Sequence, residues 1–165
     1  MKKLFLIRHA KSSWANPGLQ DFDRPLNKRG IRDAPFMAKM MVGKGIQPDQ
    51  IITSPANRAI TTAQQFASAQ GIEHGDLVIK HEIYEAYPEI LLQLIRGFSN
   101  EASTVFMFGH NPGFTYLANM FDGDYIVNIP TCGIVEINAD IKEWQELGGT
   151  NGKIANFYFP KQYFS

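Results

Sequence analysis

Short apolar runs separated by longer stretches of helical period set the rhythm of this chain. Six runs read as strands, at residues 3–7, 50–53, 77–79, 104–108, 133–137 and 153–159. The first, Leu4-Phe5-Leu6-Ile7, has no polar alternation, the pattern of a strand buried on both faces. Between the second and third runs lies SPANRAITTAQQFASAQG, where Ser54 suits an N-cap, Pro55 the first helical position and Gly71 the C-terminal stop. HNPGFTYLANMF follows the fourth run with the same grammar, Asn111 as N-cap and Pro112 at the first position. PEILLQLIRG predicts a shorter helix over residues 88–96. RPLNKRGIRDAPFMAKMMVGKG is also helical in pattern, but Pro35 interrupts it. Either the helix begins near Asp33, or an earlier turn is kinked at the proline.

The β-α alternation predicts an α/β three-layer sandwich, a mostly parallel central sheet with helices on both faces. Only a short, polar, glycine-rich stretch separates the last two strand candidates, which leaves room for an antiparallel addition at the sheet edge. No repeat or long Pro/Gly/Ser linker divides the chain, so residues 1–165 read as one domain.

Composition narrows what such a domain could bind. Sixteen basic residues balance sixteen acidic ones, so no global field draws the chain to nucleic acid or a membrane surface. Any bound anion must be held by a local cluster. A single cysteine, Cys132, permits no internal disulfide and no CxxC zinc motif. The opening MKKLFLIRHAK has too few apolar residues for the core of a signal peptide, and no run approaches a membrane span. A cytoplasmic location is expected.

The candidate chemistry appears where the polar residues fall on this map. In open parallel sheets, ligands bind beyond the carboxyl ends of the strands. Arg8 and His9 follow the first strand. Ser54 to Arg58 follow the second, with Arg58 in the first turn of its helix, and Gly109, His110 and Asn111 follow the fourth. Two arginines, two histidines and two helix N-termini are thus sent to one edge. Helix N-termini favour anions, and arginine offers paired donors matched to phosphate oxygens. Histidine titrates near neutrality and can act as nucleophile or acid/base. The joint reading is a phosphate site. A metal reading of His9 and His110 is disfavoured because two adjacent arginines would repel a cation. Cys132 has Asn138, not arginine, six residues on, and reads as a small buried thiol; His74 and His81 read as solvated.

LIRHAKS, DFDRPLNKRG, SPANRAITTAQ, IYEA, FGHNPG and IPTCGIVEI, in that order, resemble the histidine phosphatase superfamily, with its phosphoglycerate mutase-like fold. They are most similar to its short branch, the SixA-type phosphohistidine phosphatases, which often carry alanine at the position of Ala10. The resemblance implies that His9 is the phospho-accepting nucleophile and that Arg8, Arg58 and His110 complete the phosphate pocket, with Asn111 joining the substrate-binding set. Glu85 aligns with the position that often supplies a catalytic acid and is preferred over Glu82. Asp23 and Arg24 are expected to organise the neighbouring loop. No metal or cofactor is implied, and the positive charge around His9 should lower its pKa.

Larger members of the superfamily cover the pocket with long insertions, for which this chain has no room. An open site suits a phosphoryl group carried on a protein, so a phosphohistidine-bearing partner is the expected substrate. A small phosphate ester is the alternative within the superfamily. A non-catalytic phosphate-binding module is the alternative from another class, against which the intact pair His9 and His110 argues.

Overall fold

The computed structural model describes residues 1–164. Its central sheet has six strands: β1 (Lys2–Arg8), β2 (Gln50–Thr53), β3 (Val78–Ile79), β4 (Thr104–Gly109), β5 (Ile134–Ala139) and β6 (Gly152–Tyr158). Their spatial order is β3-β2-β4-β1-β5-β6. β1, β2, β3 and β4 pair in parallel, whereas β5 pairs antiparallel with β1, and β6 antiparallel with β5. The antiparallel addition suggested by the short last connection is therefore present at one edge.

Successive side chains of the central strands enter opposite cores. Leu4, Leu6, Val105, Met107, Val135 and Ile137 face one; Phe5, Ile7, Phe106, Phe108 and Ile134 face the other. Both faces must then be roofed by helices, because an apolar sheet face left in water costs about 25 cal/mol per Å². α1 (Lys28–Gly43) and α2 (Asn57–Gln70) roof the second face with Met37, Met41, Phe66 and Ala67. α3 (Pro88–Arg96) and α4 (Gly113–Ala118) roof the first with Leu91, Ile95, Phe114 and Leu117.

The helix boundaries refine the sequence reading. α1 starts at Lys28 and runs through Pro35, with Asn27 Oδ1 accepting from the Gly30 amide at 2.9 Å. Pro35 removes the N–H that the Ile31 carbonyl would have received, and Ile31 is exposed, where water can serve instead. α2 starts at Asn57, three residues beyond the predicted cap, and ends on Gly71 with φ 73° as expected. α4 starts at Gly113, because Pro112 takes the cap position. Asn111 nevertheless caps the turn from outside: its Oδ1 accepts from the Thr115 amide at 3.2 Å and from Thr115 Oγ1 at 2.8 Å. α3 occupies the predicted residues. Gly30 has a packing reason, since a Cβ there would stand 2.2 Å from the Lys11 carbonyl oxygen.

Strand register is what gathers the polar residues. Arg8 pairs with Gly109 and Thr53 with Phe108, so β1, β2 and β4 end at the same level. Ile7 pairs with Ile134, which brings the loop before antiparallel β5 to that edge as well.

Candidate active site

Beyond these strand ends lies a cleft of about 220 Å³, walled by Arg8, His9, Arg58, His110 and Asn111 and by the turn residues Ser12 and Arg24. His9 is only 7% exposed. Its Nδ1 lies 2.8 Å from the Ala10 carbonyl oxygen. A carbonyl can only accept, so Nδ1 carries the proton and Nε2 keeps the lone pair. The Ala10 amide in turn donates to Thr62 Oγ1 at 3.0 Å, which ties the loop after β1 to α2. Burial, followed by the charges of Arg58, Arg8 and Arg24, lowers the His9 pKa to about 4, against the pull of the Ala10 hydrogen bond. The arginines act in the expected direction, but burial is the larger cause.

His110 faces His9, with ring centroids 5.2 Å apart. Its Nε2 is hydrogen-bonded with Ser54 Oγ at 2.7 Å. Burial, then His9 and Arg58, push its pKa down to about 3. Ser54, expected as a helix cap, instead accepts from the Ala56 amide at 3.2 Å and supports His110. Its hydroxyl is the first residue beyond β2, where one side chain can reach both the backbone turn and the next strand end.

Arg8 donates from Nη1 to the Ile129 carbonyl at 2.9 Å, and Asn111 Nδ2 donates to the same oxygen at 2.8 Å. Together they fix the loop that leads into β5. Arg8 Nε and His110 Nδ1 are buried with no partner among the described residues. Buried donors and acceptors are rarely left unpaired, so these two atoms leave hydrogen-bonding capacity unused beside the cleft.

Arg58 is buried in the first turn of α2, as expected. Local sequence carries no sign of its grip on the protein. Nη1 donates to the Asp21 carbonyl at 2.7 Å and Nη2 to Asp21 Oδ2 at 3.0 Å. Asp21 also receives Arg24 Nη1 at 2.9 Å and the Tyr84 hydroxyl at 2.7 Å. Partial burial opposes ionisation of Asp21, but the hydrogen bonds from Tyr84, Arg24 and Arg58 hold its carboxyl down to about 2. Burial and the Asp21 carboxylate push the Tyr84 phenol up to about 12. Arg24 is anchored to its own loop through the Ser13 carbonyl and Ser12 Oγ, and its guanidinium lies 3.3 Å from the centre of the Trp14 ring. Arg24 does organise this loop, but the carboxylate at its centre is Asp21, not Asp23. Spacing in DFDRP does not distinguish the two; only the turn geometry does.

Glu85 is placed differently from the other candidates. It is exposed, sits in the left-handed region at φ 57°, and does not line the cleft. The preceding residue, Tyr84, does not line the cleft either, but its hydroxyl donates to Asp21 Oδ2 and its ring stands edge-on to His110, 5.6 Å between centroids. No carboxylate is among the described residues that wall the cleft. Cys132 is fully buried and burial pushes its thiol up, so it is inert; its amide donates to the carbonyls of Arg8 and His9, both at 3.0 Å, which braces the end of β1. Among the described residues no three His, Cys, Asp or Glu side chains form a metal-sized group. No described helix is long and apolar enough to cross a membrane.

The family model for the histidine phosphatase superfamily (branch 1) matches residues 4–87. An uncharacterised chloroplastic protein of Arabidopsis thaliana is 31% identical over 159 residues, covering 92% of this chain and 72% of that protein. Phosphoserine phosphatase 1 of Hydrogenobacter thermophilus is 35% identical over 107 residues, 54% of this chain and 48% of that protein. Among solved structures, a protein of Agrobacterium tumefaciens provisionally assigned as the phosphohistidine phosphatase SixA superposes with a TM-score of 0.81 at 31% identity, covering 96% of this chain and 98% of that one. A protein histidine phosphatase SixA complexed with tungstate has the same fold, with a TM-score of 0.82 at 20% identity over 97% and 98% of the two chains.

Proposed function

The chain belongs to the histidine phosphatase superfamily, branch 1, with SixA-like relatives, and on that premise we propose that this phosphatase works through a phosphohistidine at His9 and takes its phosphate from a histidine on a partner protein. The observation that carries the reading is the His9 imidazole, its Nδ1–H tied to the Ala10 carbonyl and its Nε2 lone pair left to a cleft of arginines.

In the first step Nε2 of His9 attacks phosphorus and the substrate's P–N bond breaks; the departing imidazole, having taken a proton from solvent on its unsubstituted ring nitrogen, leaves neutral. In the second, water attacks the phosphorus, the bond to Nε2 breaks, and inorganic phosphate leaves as the water's proton passes to solvent. Splitting hydrolysis into two displacements is what a nucleophilic side chain contributes. Charge spread over the equatorial oxygens is met by Arg8, Arg58 and His110, with no metal step. Asn111, committed to Ile129 and Thr115, holds the pocket wall. The described residues, built on one sheet, form the histidine phosphatase domain that does this.

The absence of a carboxylate from the described cleft wall favours phosphohistidine over phosphate esters. An alkoxide leaving group needs a proton donor in place, whereas an imidazole is itself readily protonated near neutral pH. Glu85, exposed and not among the cleft walls, would have to move inward to act as that donor. The test is phosphate release from phosphohistidine proteins beside a panel of small phosphate esters. The reading expects kcat/KM for a phosphohistidine protein to exceed that of every ester; a preferred ester makes the enzyme a phosphomonoesterase, and no turnover at all makes it a binding module.

A further inference from the structure

A second groove of about 570 Å³ lies next to the cleft, and Thr131 lines both. Three cations line it, Arg29, Arg32 and Lys161, together with the rings of Phe159 and Phe164. Arg29 Nη2 donates to Thr131 Oγ1 at 3.2 Å, so a guanidinium stands at the junction of groove and cleft. Only one carboxylate, Asp33, lines the groove among the described residues, and it is buried beneath, 2.9 Å from Arg32 and 3.9 Å from Arg29. Lys161 is exposed and enters no ion pair among the described residues. The Arg32 guanidinium lies 4.0 Å from the centre of the Phe164 ring, which keeps its charge at the groove surface.

This placement of charge is unfavourable for the helix that bears it. α1 opens on Lys28 and Arg29 with no acid in its first turn, whereas a helix N-terminus favours negative side chains. In a chain of zero net charge the cluster is a local concentration with no counterpart in overall composition.

We propose that this groove is a second subsite, which takes an acidic, partly apolar segment of the protein substrate adjoining its phosphohistidine. The proposal rests on the protein-substrate reading above. The cationic side chains pair with carboxylates of the segment, Phe159 and Phe164 cover its apolar side chains, and Thr131 marks where the segment passes from groove to cleft. Complementary charge of this kind sets partner choice and association rate.

The experiment measures peptide binding separately from turnover. Fluorescence anisotropy at low salt gives Kd for two labelled octapeptides with one central histidine and one leucine, one flanked by Glu and Asp, the other by Gln and Asn. The wild type should bind the acidic peptide about tenfold more tightly, and the preference should fall to about twofold or less in Lys161→Gln and Arg32→Gln. Turnover of a small aryl phosphate should be unchanged in Lys161→Gln, which breaks no described ion pair and so controls for folding. Equal Kd values for the two peptides in the wild type, or a preference that survives in both variants, overturns the subsite. The phosphorylated peptides form a separate arm: if neither is hydrolysed while the acidic preference stands, the phosphohistidine reading fails and the subsite does not.

Discussion

Replacing Arg58 with alanine removes a side chain with two duties, one seen in the structure and one assigned by the proposed reaction. The first is structural: Nη1 holds the Asp21 carbonyl at 2.7 Å and Nη2 holds Asp21 Oδ2 at 3.0 Å. A charged donor to a backbone carbonyl contributes about 1.5–3 kcal/mol. The ion pair contributes less, no more than about 1 kcal/mol, because the Asp21 side chain is 46% exposed and screened. Loss of both should cost roughly 2–3 kcal/mol, a Tm drop of roughly 5–10 °C for a chain of this length. The second duty is towards the phosphoryl group, where a charge-assisted contact in a largely dry site contributes about 2–4 kcal/mol to the transition state, or roughly 30- to 1000-fold in rate. The two are separable by measuring kcat/KM well below the variant's Tm, where the whole population is folded. Arg58→Lys should recover part of the melting temperature but little of the rate, since an ammonium keeps the charge and loses the fork. Near-wild-type kcat/KM for Arg58→Ala, with the lowered Tm, would make Arg58 a brace for the Asp21 turn and nothing more. The convergence of Arg8, His9, Arg58 and His110 would then lose one of its members.

His9→Ala should abolish turnover while the fold survives, and acid-quenched reactions with labelled substrate should trap acid-labile phosphate on the wild type only; more than a few per cent residual activity would sink the covalent route. Exhaustive chelation should leave activity unchanged, and a loss restored by a divalent ion would revive a metal site at His9 and His110. With native pKa values near 4 and 3, His9 and His110 should both stay neutral from pH 8 to about pH 5 in histidine side-chain NMR, and titration of either near 6.5 would contradict their burial. The same shifts set the pH dependence of stability. Between pH 6.5 and 4 the unfolded chain binds more protons than the native one, so stability should be full above about 6.5 and fall as pH drops through that window. His9 alone accounts for about 3 kcal/mol of that fall, at 1.36 kcal/mol per unit, readable as a decline in urea midpoint.

The sequence by itself determined the elements and the edge at which the chemistry gathers. Apolar runs without alternation mark strands buried on two faces, and Arg8, His9, Arg58 and His110 are each adjacent in sequence to a strand end or helix start. Their convergence follows from one general property of open parallel sheets. Helix α3 was equally legible, because Pro88 and the period of its leucines and isoleucines lie within nine residues. What remained out of reach was which distant side chain each of these residues holds. Asp21 meets Arg58 across 37 residues and Tyr84 across 63, and nothing in DFDRP marks Asp21 above Asp23. Ser54 fits a helix cap by every local rule, yet its hydroxyl is spent on His110, 56 residues away. The groove formed by Arg29, Arg32 and Lys161 joins the start of α1 to the segment after β6, two stretches of chain that carry no shared signal. Local spacing determines which way a residue points along its own helix or strand. Which carboxylate reaches a buried guanidinium is decided by how loops close over the sheet, where differences of an ångström select one partner and exclude the next.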